Sequence, residues 1–511
     1  GQEYQTHSKP RLLIQIRFEK RNVYPIPTTM PAIMIWWLAL LLFQGACKDD
    51  DPPLPPDPPA KDSIGLADVW LTRGDQTKLL NADAGLTIKT KQSGTFPVIQ
   101  LDTATAFQVM HGFGAALTGS SAYLLNKKMN ATQREQVLRQ LFDPQQGIGI
   151  SYLRLTMGAS DFSLADFSYD DMPAGQTDFN LEQFSLSRDL EDVVPVLKEI
   201  IAIAPDIQLM GTPWSPPAWM KTNGSMKGGK LKTTCYSVYA DYFVKYIQAM
   251  KAQGIEIAAV TPQNEPLYFT AGYPCMEMQA TEQLDFVRNH LGPKFQAAGI
   301  TTKIIVYDHN WDVPQYAISI LNDPVAKSFV AGSAFHAYGG DVTAMSTVHY
   351  AHPDKELYFT EISGGAWATN FKDNLMWNMQ NIFIGTANNW STTALMWNLA
   401  LDQNYGPQNH GCSNCRGVIE VNISNGGYTP QVEYYSIGHF SKFVQPGAQR
   451  ISSVIPAELN QMGFVAFLNP DGSKVLVAGN YSSTYRSFTV HQGNGYFNYS
   501  VPPEAEVTVV W

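Results

Sequence analysis

Eight short apolar runs, each ending in polar or glycine-rich residues, constrain this chain more than any other feature. They are FQVMHGFGAAL (107–117), SYLRLTMG (151–158), IQLMGTPW (207–214), IAAVTPQNEP (257–266), KIIVYDHN (303–310), GSAFHAYGG (332–340), ELYFTEISGG (356–365) and TALMWNLALD (393–402). Amphipathic segments lie between most of them. CYSVYADYFVKYIQAMKAQG (235–254) carries apolar residues at helical spacing and Gly254 as a stop. Strands alternating with helices predict a parallel sheet. Eight such units predict the α/β class and a (β/α)8 TIM barrel. A doubly wound sheet is the alternative, but no G-x-G-x-x-G opens any unit, and HGFGAAL (111–117) is not that fingerprint.

The flanks have a different texture. Residues 64–104 and 430–511 are rich in short alternating runs such as FPVIQLD, KVLVAGNY and AEVTVVW. This pattern predicts antiparallel strands and a side β-sandwich, with the N-terminal strands joining the C-terminal ones. At 511 residues the chain is too long for one ordinary core and suits a large barrel plus a smaller domain. The expected organisation is a leader at 1–47 and a Pro-rich tether at 48–63. N-terminal sandwich strands follow at 64–104, the catalytic barrel at 105–429 and the rest of the sandwich at 430–511.

The leader rests on MPAIMIWWLALLLFQGAC (30–47), an apolar run too short for a comfortable membrane span. Small residues before Cys47 resemble a bacterial lipoprotein cleavage site, with Gln44 where that motif usually has Leu. Met30 is an alternative start that would make residues 1–29 spurious. KDDD (48–51) resembles a surface-export signal, and DPPLPPDPPAKD (51–62) is an extended tether. An exported outer-membrane lipoprotein is expected, at the cell surface or facing the periplasm. It would meet the membrane only through lipid on Cys47, with surface glycan-uptake proteins as partners. An uncleaved membrane anchor is the other reading. The formal charge of −10, with no basic block in the body of the chain, excludes nucleic acid as a partner.

In a (β/α)8 barrel, function sits where the strands end. Glu265, in TPQNEP, ends the fourth run, and Glu361 ends the seventh. A carboxylate closing a buried strand is costly unless it is paired, solvated or used. One alone is as readily a helix cap or a partner for Arg. Two at matched positions would point into one cup, as retaining glycoside hydrolysis requires. There, one carboxylate is the nucleophile and the other the acid/base, about 5–5.5 Å apart. No metal constellation appears, and this chemistry needs no cofactor.

The chain resembles glycoside hydrolase family 30, the family of glucosylceramidase. The resemblance runs in order through HGFGAALTGSSAYLL, LRLTMGASDFSLADFSYDD, TPWSPPAWMKTNGSMKGGKLK, TPQNEP, FHAYGGD, YFTEISGG and MWNLALD, from about residue 65 to the C-terminus. It implies a (β/α)8 barrel with a side β-sandwich. It also implies Glu265 as acid/base, Glu361 as nucleophile and Asn264 as the group that hydrogen-bonds the sugar 2-hydroxyl. Asp161 would bind sugar hydroxyls at the blind end of the pocket, with Trp214 and Trp397 as pocket tryptophans. His336 and Tyr338 would lie near the nucleophile, in contact with substrate or, for His336, satisfied within the barrel.

Departures refine the expectation. Ala337 stands where glucosylceramidases typically have Trp, and Ile-Ser-Gly-Gly follows Glu361. Losing an aromatic wall on the leaving-group side argues against a lipid aglycone and leaves room for a glycan. Five cysteines are too few for a disulfide scaffold. Cys412 and Cys415 form a C-x-x-C pair, expected as a small disulfide on the cleft rim rather than a zinc or redox site. Cys235 and Cys275 are candidates for a second bridge, and Arg416 for a structural salt bridge. The expected activity is retaining hydrolysis of β-glucosidic bonds, in β-1,6-glucan or related β-glucosides. The rivals are a xylan-directed endo-hydrolase of the same family and a non-catalytic surface glycan-binding lipoprotein. The last would predict loss of one glutamate.

Overall fold

The computed structural model describes residues 62–511. The expected leader, Cys47 and nearly all of the tether lie outside the described residues. Eight parallel strands close into a barrel: β1 (Gly112–Leu117), β2 (Tyr152–Thr156), β3 (Gln208–Thr212), β4 (Ala259–Val260), β5 (Lys303–Asn310), β6 (Val330–His336), β7 (Glu356–Glu361) and β8 (Ser391–Asn398). Each lies inside one of the eight apolar runs or overlaps it. β8 closes on β1 through pairs from Thr393 with Gly112 to Asn398 with Ala116. Gly114 in β1 is required by closeness, since a Cβ there would run into the Tyr152 carbonyl of β2.

Helices cover the barrel as the periodicity predicts. The helix Tyr236–Ala252 buries Tyr239, Tyr242, Phe243, Tyr246 and Met250 on one stripe. Gly254, at φ 81°, follows its C-cap Gln253 in the left-handed conformation that ends helices. Among the described residues, no helix is long and apolar enough to cross a membrane.

The second layer is a ten-stranded sheet that joins both flanks. Ser63–Arg73 pairs with the last strand, Ala505–Val510, and Val98–Val109 pairs with Gln449–Val454. Ser63–Arg73 also pairs with Leu86–Lys89, so the sheet meets itself around its own core of Val69, Ile99, Phe464, Leu476, Phe488 and Val507. The 430–511 segment, expected as β throughout, opens instead with the helix Val432–Ser441. Phe440 packs on Phe113 of the barrel at 5.1 Å, while His439 hydrogen-bonds Thr72 and Thr508 of the sheet. A helix covered on both sides shows no polar face, so its periodicity was hidden.

Three β-bulges mark the mouth of the barrel. Ala334 pairs with Tyr307 and Phe335 with His309, leaving Asp308 extra. Thr360 is extra between the pairs Phe335–Phe359 and His336–Glu361, and Trp397 between Met396–Ala115 and Asn398–Ala116. A bulge re-aims side chains at a strand end, and all three extra residues belong to the site or touch it.

Candidate active site

The fourth strand is only two residues long, and the chain that leaves it, Thr261–Pro266, crosses the barrel mouth. Glu265 sits there with φ 44°, an uncommon backbone state for a side-chain-bearing residue. It is held by its own N–H, which donates to the Asp308 carbonyl at 3.0 Å, and by the adjoining Gln263, whose amide donates to the Trp214 carbonyl at 2.7 Å. Tyr307 and Asp308 are also left-handed, at φ 74° and 62°. Strained backbone persists where the surrounding structure over-determines it, which is common at functional sites.

One buried cation organises the floor. Arg154, from the middle of β2, is fully buried and donates to Glu361 Oε2 at 2.5 Å, Asn264 Oδ1 at 2.7 Å and Asp308 Oδ2 at 2.8 Å. Its guanidinium lies 4.9 Å from the Trp214 ring centre, and Trp214 stacks on Trp397 at 5.0 Å. Asp308 accepts further bonds from Thr261 and Thr360. Tyr338 donates its hydroxyl to Glu361 Oε1 at 3.0 Å. Glu361 therefore faces two groups that can only donate to it or do so readily, an arrangement suited to a carboxylate.

His336 bridges the remaining acids. Its Nε2 lies 3.0 Å from Asp308 Oδ1 and its Nδ1 3.0 Å from Glu265 Oε1. Burial would raise Asp308, but Arg154 and His336 outweigh it and hold the carboxyl far below its ordinary value. Nε2 consequently carries a proton for an ionised Asp308. A second proton lies between Nδ1 and Glu265, on the imidazole side. Burial works to discharge His336, yet the surrounding carboxylates outweigh it and push the imidazole up to about 9. Burial would raise Glu265, but the hydrogen bond and charge of that imidazole, with the charges of His309 and Arg154, together hold its carboxyl below the usual value. Glu361 goes the other way. Burial, joined by the Glu265 charge, outweighs His336 and Arg154 and raises it.

The carboxylates of Glu265 and Glu361 approach within 4.8 Å, as do both to His336. Those atoms are spaced as metal ligands would be. Each is already engaged, and the Arg154 cation beside Glu361 disfavours a metal ion there. The two glutamates line a pocket of about 440 Å³ with Asp161, Trp214, Asn264 and Trp397. Asp161 is half-buried, and its inner oxygen Oδ1 lacks a hydrogen-bond partner. Burial and the neighbouring glutamate charges push its carboxyl well above its ordinary value. A carboxyl kept protonated beside a pocket can both donate to and accept from a hydroxyl-bearing ligand.

The structure thus brings together Asp161, Trp214, Asn264, Glu265, Tyr338, Glu361 and Trp397 on one pocket. Of the two readings of His336, substrate contact is corrected and the satisfied barrel histidine holds: it is fully buried, and both ring nitrogens are taken by Glu265 and Asp308. Cys412 and Cys415 form a disulfide on the pocket wall. Cys235 and Cys275 do not pair. Both are free and buried, and the Cys275 sulfur accepts the N–H groups of Gly228 and Thr270. Arg416 makes the expected salt bridge, to Glu433 at 2.7 Å. The sequence reading missed Arg154 and Asp308, although a lone charge inside an apolar strand signals an obligatory buried partner. It also missed Tyr268, Tyr273 and Trp367 on the rim, for which no local signal exists.

The Glycosyl hydrolase family 30 TIM-barrel domain matches residues 110–444, and the Glycosyl hydrolase family 30 beta sandwich domain matches residues 447–509. An endo-1,6-beta-D-glucanase of Neurospora crassa is 37% identical over 388 residues, covering 73% of this chain and 79% of the fungal protein. The lysosomal acid glucosylceramidase of Mus musculus is 30% identical over 454 residues, covering 83% of this chain and 85% of the mouse protein. A solved endo-beta1,6-glucanase structure is 37% identical with a TM-score of 0.81, covering 88% of this chain and 99% of that one.

Proposed function

From the premise that the chain belongs to glycosyl hydrolase family 30, and is a glycoside hydrolase, we propose that it cleaves β-1,6-glucan with retention, using Glu361 as nucleophile and Glu265 as acid/base. The observation that carries this reading is the pair of carboxylates within 4.8 Å. Retaining enzymes place them about 5–5.5 Å apart, while inverting enzymes need about 6.5–9.5 Å to admit water.

In the first step Glu361 attacks the anomeric carbon and forms a glycosyl ester. Glu265 gives its proton to the departing glycosidic oxygen, whose bond to that carbon breaks. In the second step Glu265 takes a proton from water as that water attacks the same carbon and releases Glu361. The Glu265–His336 pair holds the proton needed first and can take it back later, because it moves only across a 3.0 Å contact. Asn264 is fixed by Arg154 through its oxygen, leaving its amide N–H groups to donate to the sugar. Asp161, whose carboxyl lines the pocket, is suited to the hydroxyls of the same ring. A capture protein would not need two acids so arranged.

Site variants test the roles. Glu361→Gln should lose turnover of every substrate. Glu265→Ala should lose about 10²–10⁴-fold on β-1,6-glucan, the usual worth of a general acid. It should lose far less on aryl glucosides with good leaving groups and recover with azide. Full activity of Glu265→Ala on the glucan would defeat the assignment.

A further inference from the structure

A second cavity, of about 710 Å³, opens beside the catalytic pocket and shares Tyr338, Ser363 and Trp367 with it. Its far wall is formed by Asp373, Asn374 and Trp377, and its near wall includes Ala337. Three large aromatic side chains stand open to water around it: Trp367 is 55% exposed, Tyr338 47% and Trp377 43%. Single exposed aromatics need no explanation, but a cluster around a cleft that runs into a reacting centre points to a ligand.

The exposed Trp367 is held in place. Its loop follows β7 and is pinned to the segment carrying the disulfide, with Gly364 pairing with Arg416 and Gly365 with Cys415. The Arg416 guanidinium also donates to the Gly365 and Ala368 carbonyls at 3.2 and 2.9 Å, while Glu433 anchors Arg416 itself. A Cβ on Gly365 would run into the Trp367 ring, so the indole lies directly against the loop backbone. Trp377 lies in the second turn of a helical run that starts at Phe371, with Asn370 as N-cap, and continues to Asn388. Asn374 ties that helix to the Trp367 loop by donating to the Ala368 carbonyl at 3.0 Å.

We propose that this cavity binds the leaving-group glucosyl units of a β-1,6-glucan chain, with Trp367 and Trp377 as stacking faces. The proposal rests on the reaction proposed above. The ring attacked by Glu361 belongs at the buried end, against Asp161, Trp214 and Trp397. The chain beyond the cleaved bond must leave on the open side, where Tyr338 and Trp367 lead into the cavity. Pyranose rings present C–H faces to indoles and hydroxyls to amides and carboxylates, and the cavity offers both kinds of surface. The small Ala337 side chain keeps its near wall low.

The test compares wild type with Trp377→Ala and Trp377→Phe. The kcat/KM for β-1,6-gluco-oligosaccharides of increasing length is divided by that for an aryl β-glucoside. This ratio should rise with chain length in wild type. In Trp377→Ala the rise should shrink about tenfold, equivalent to about 1.4 kcal/mol. Trp377→Phe should keep most of it. A length dependence unchanged in Trp377→Ala would overturn the subsite. Calorimetry on Glu361→Gln with and without Trp377→Ala reads binding apart from turnover, and about tenfold weaker oligosaccharide binding is expected when both changes are present. Trp377-dependent binding without any turnover by wild type would sink the proposed reaction and leave the subsite standing. Equal binding in the two proteins would sink the subsite.

Discussion

Arg154→Met is the sharpest test of how this site is held together. The wild-type guanidinium is fully buried and meets Glu361 at 2.5 Å and Asp308 at 2.8 Å. Methionine fills much of the volume but leaves Glu361 without its ion pair and Asp308 with His336 alone. Removing one partner of a buried ion pair costs about 3–5 kcal/mol, because the remaining charge is uncompensated. That is a large share of the roughly 5–15 kcal/mol that keeps a domain folded. The loss should depend on pH. The folded value of Asp308 lies below the unfolded value of about 3.9, so its stabilising contribution is present above that pH. It is lost as pH falls through the depressed folded value. Without Arg154 the folded value rises, so the gap between wild type and variant should be full at pH 7 and shrink in acid. Urea unfolding at several pH values measures this. Adding Asp308→Asn to the variant should recover part of the loss at pH 7, by coupling of about 0.5–3 kcal/mol. A variant as stable as wild type at pH 7, or a gap that widens in acid, would refute the idea that Arg154 neutralises the floor.

The pH profile of kcat/KM on β-1,6-gluco-oligosaccharides, whose leaving group needs the acid, should be bell-shaped. Its acid limb reports Glu361, which must be ionised to attack and is raised above the ordinary Glu value, so activity falls as pH drops through it. The alkaline limb reports loss of the proton shared by Glu265 and His336, near pH 9. His336→Phe should move that limb, and an unmoved limb would remove His336 from the proton store. Alkylation of the unfolded, unreduced protein should label Cys235 and Cys275 and spare Cys412 and Cys415, and a linked Cys235–Cys275 peptide in the mass spectrum would contradict the fold.

The sequence by itself determined the architecture. Eight apolar runs become eight strands because a strand covered on both faces must be continuously apolar, and that demand is local. Glu265 and Glu361 were legible for the same reason: a carboxylate closing such a run stands out against it. Tertiary structure decided the rest. Val432–Ser441 showed no helical face because barrel and sheet cover it from opposite sides. The extra residues Asp308, Thr360 and Trp397 follow from register between neighbouring strands, which no single strand encodes. His336 could be read as a substrate contact or as a satisfied barrel histidine, and only Asp308, 28 residues earlier, on its other nitrogen decides for the second. The protonation of the site is likewise collective. Arg154, Asp308, His336 and the two glutamates come from five different strands or the loops that leave them, and each sets the charge of the others. Coulomb forces act through space at low dielectric, so the chemistry of these acids exists only once the barrel has closed.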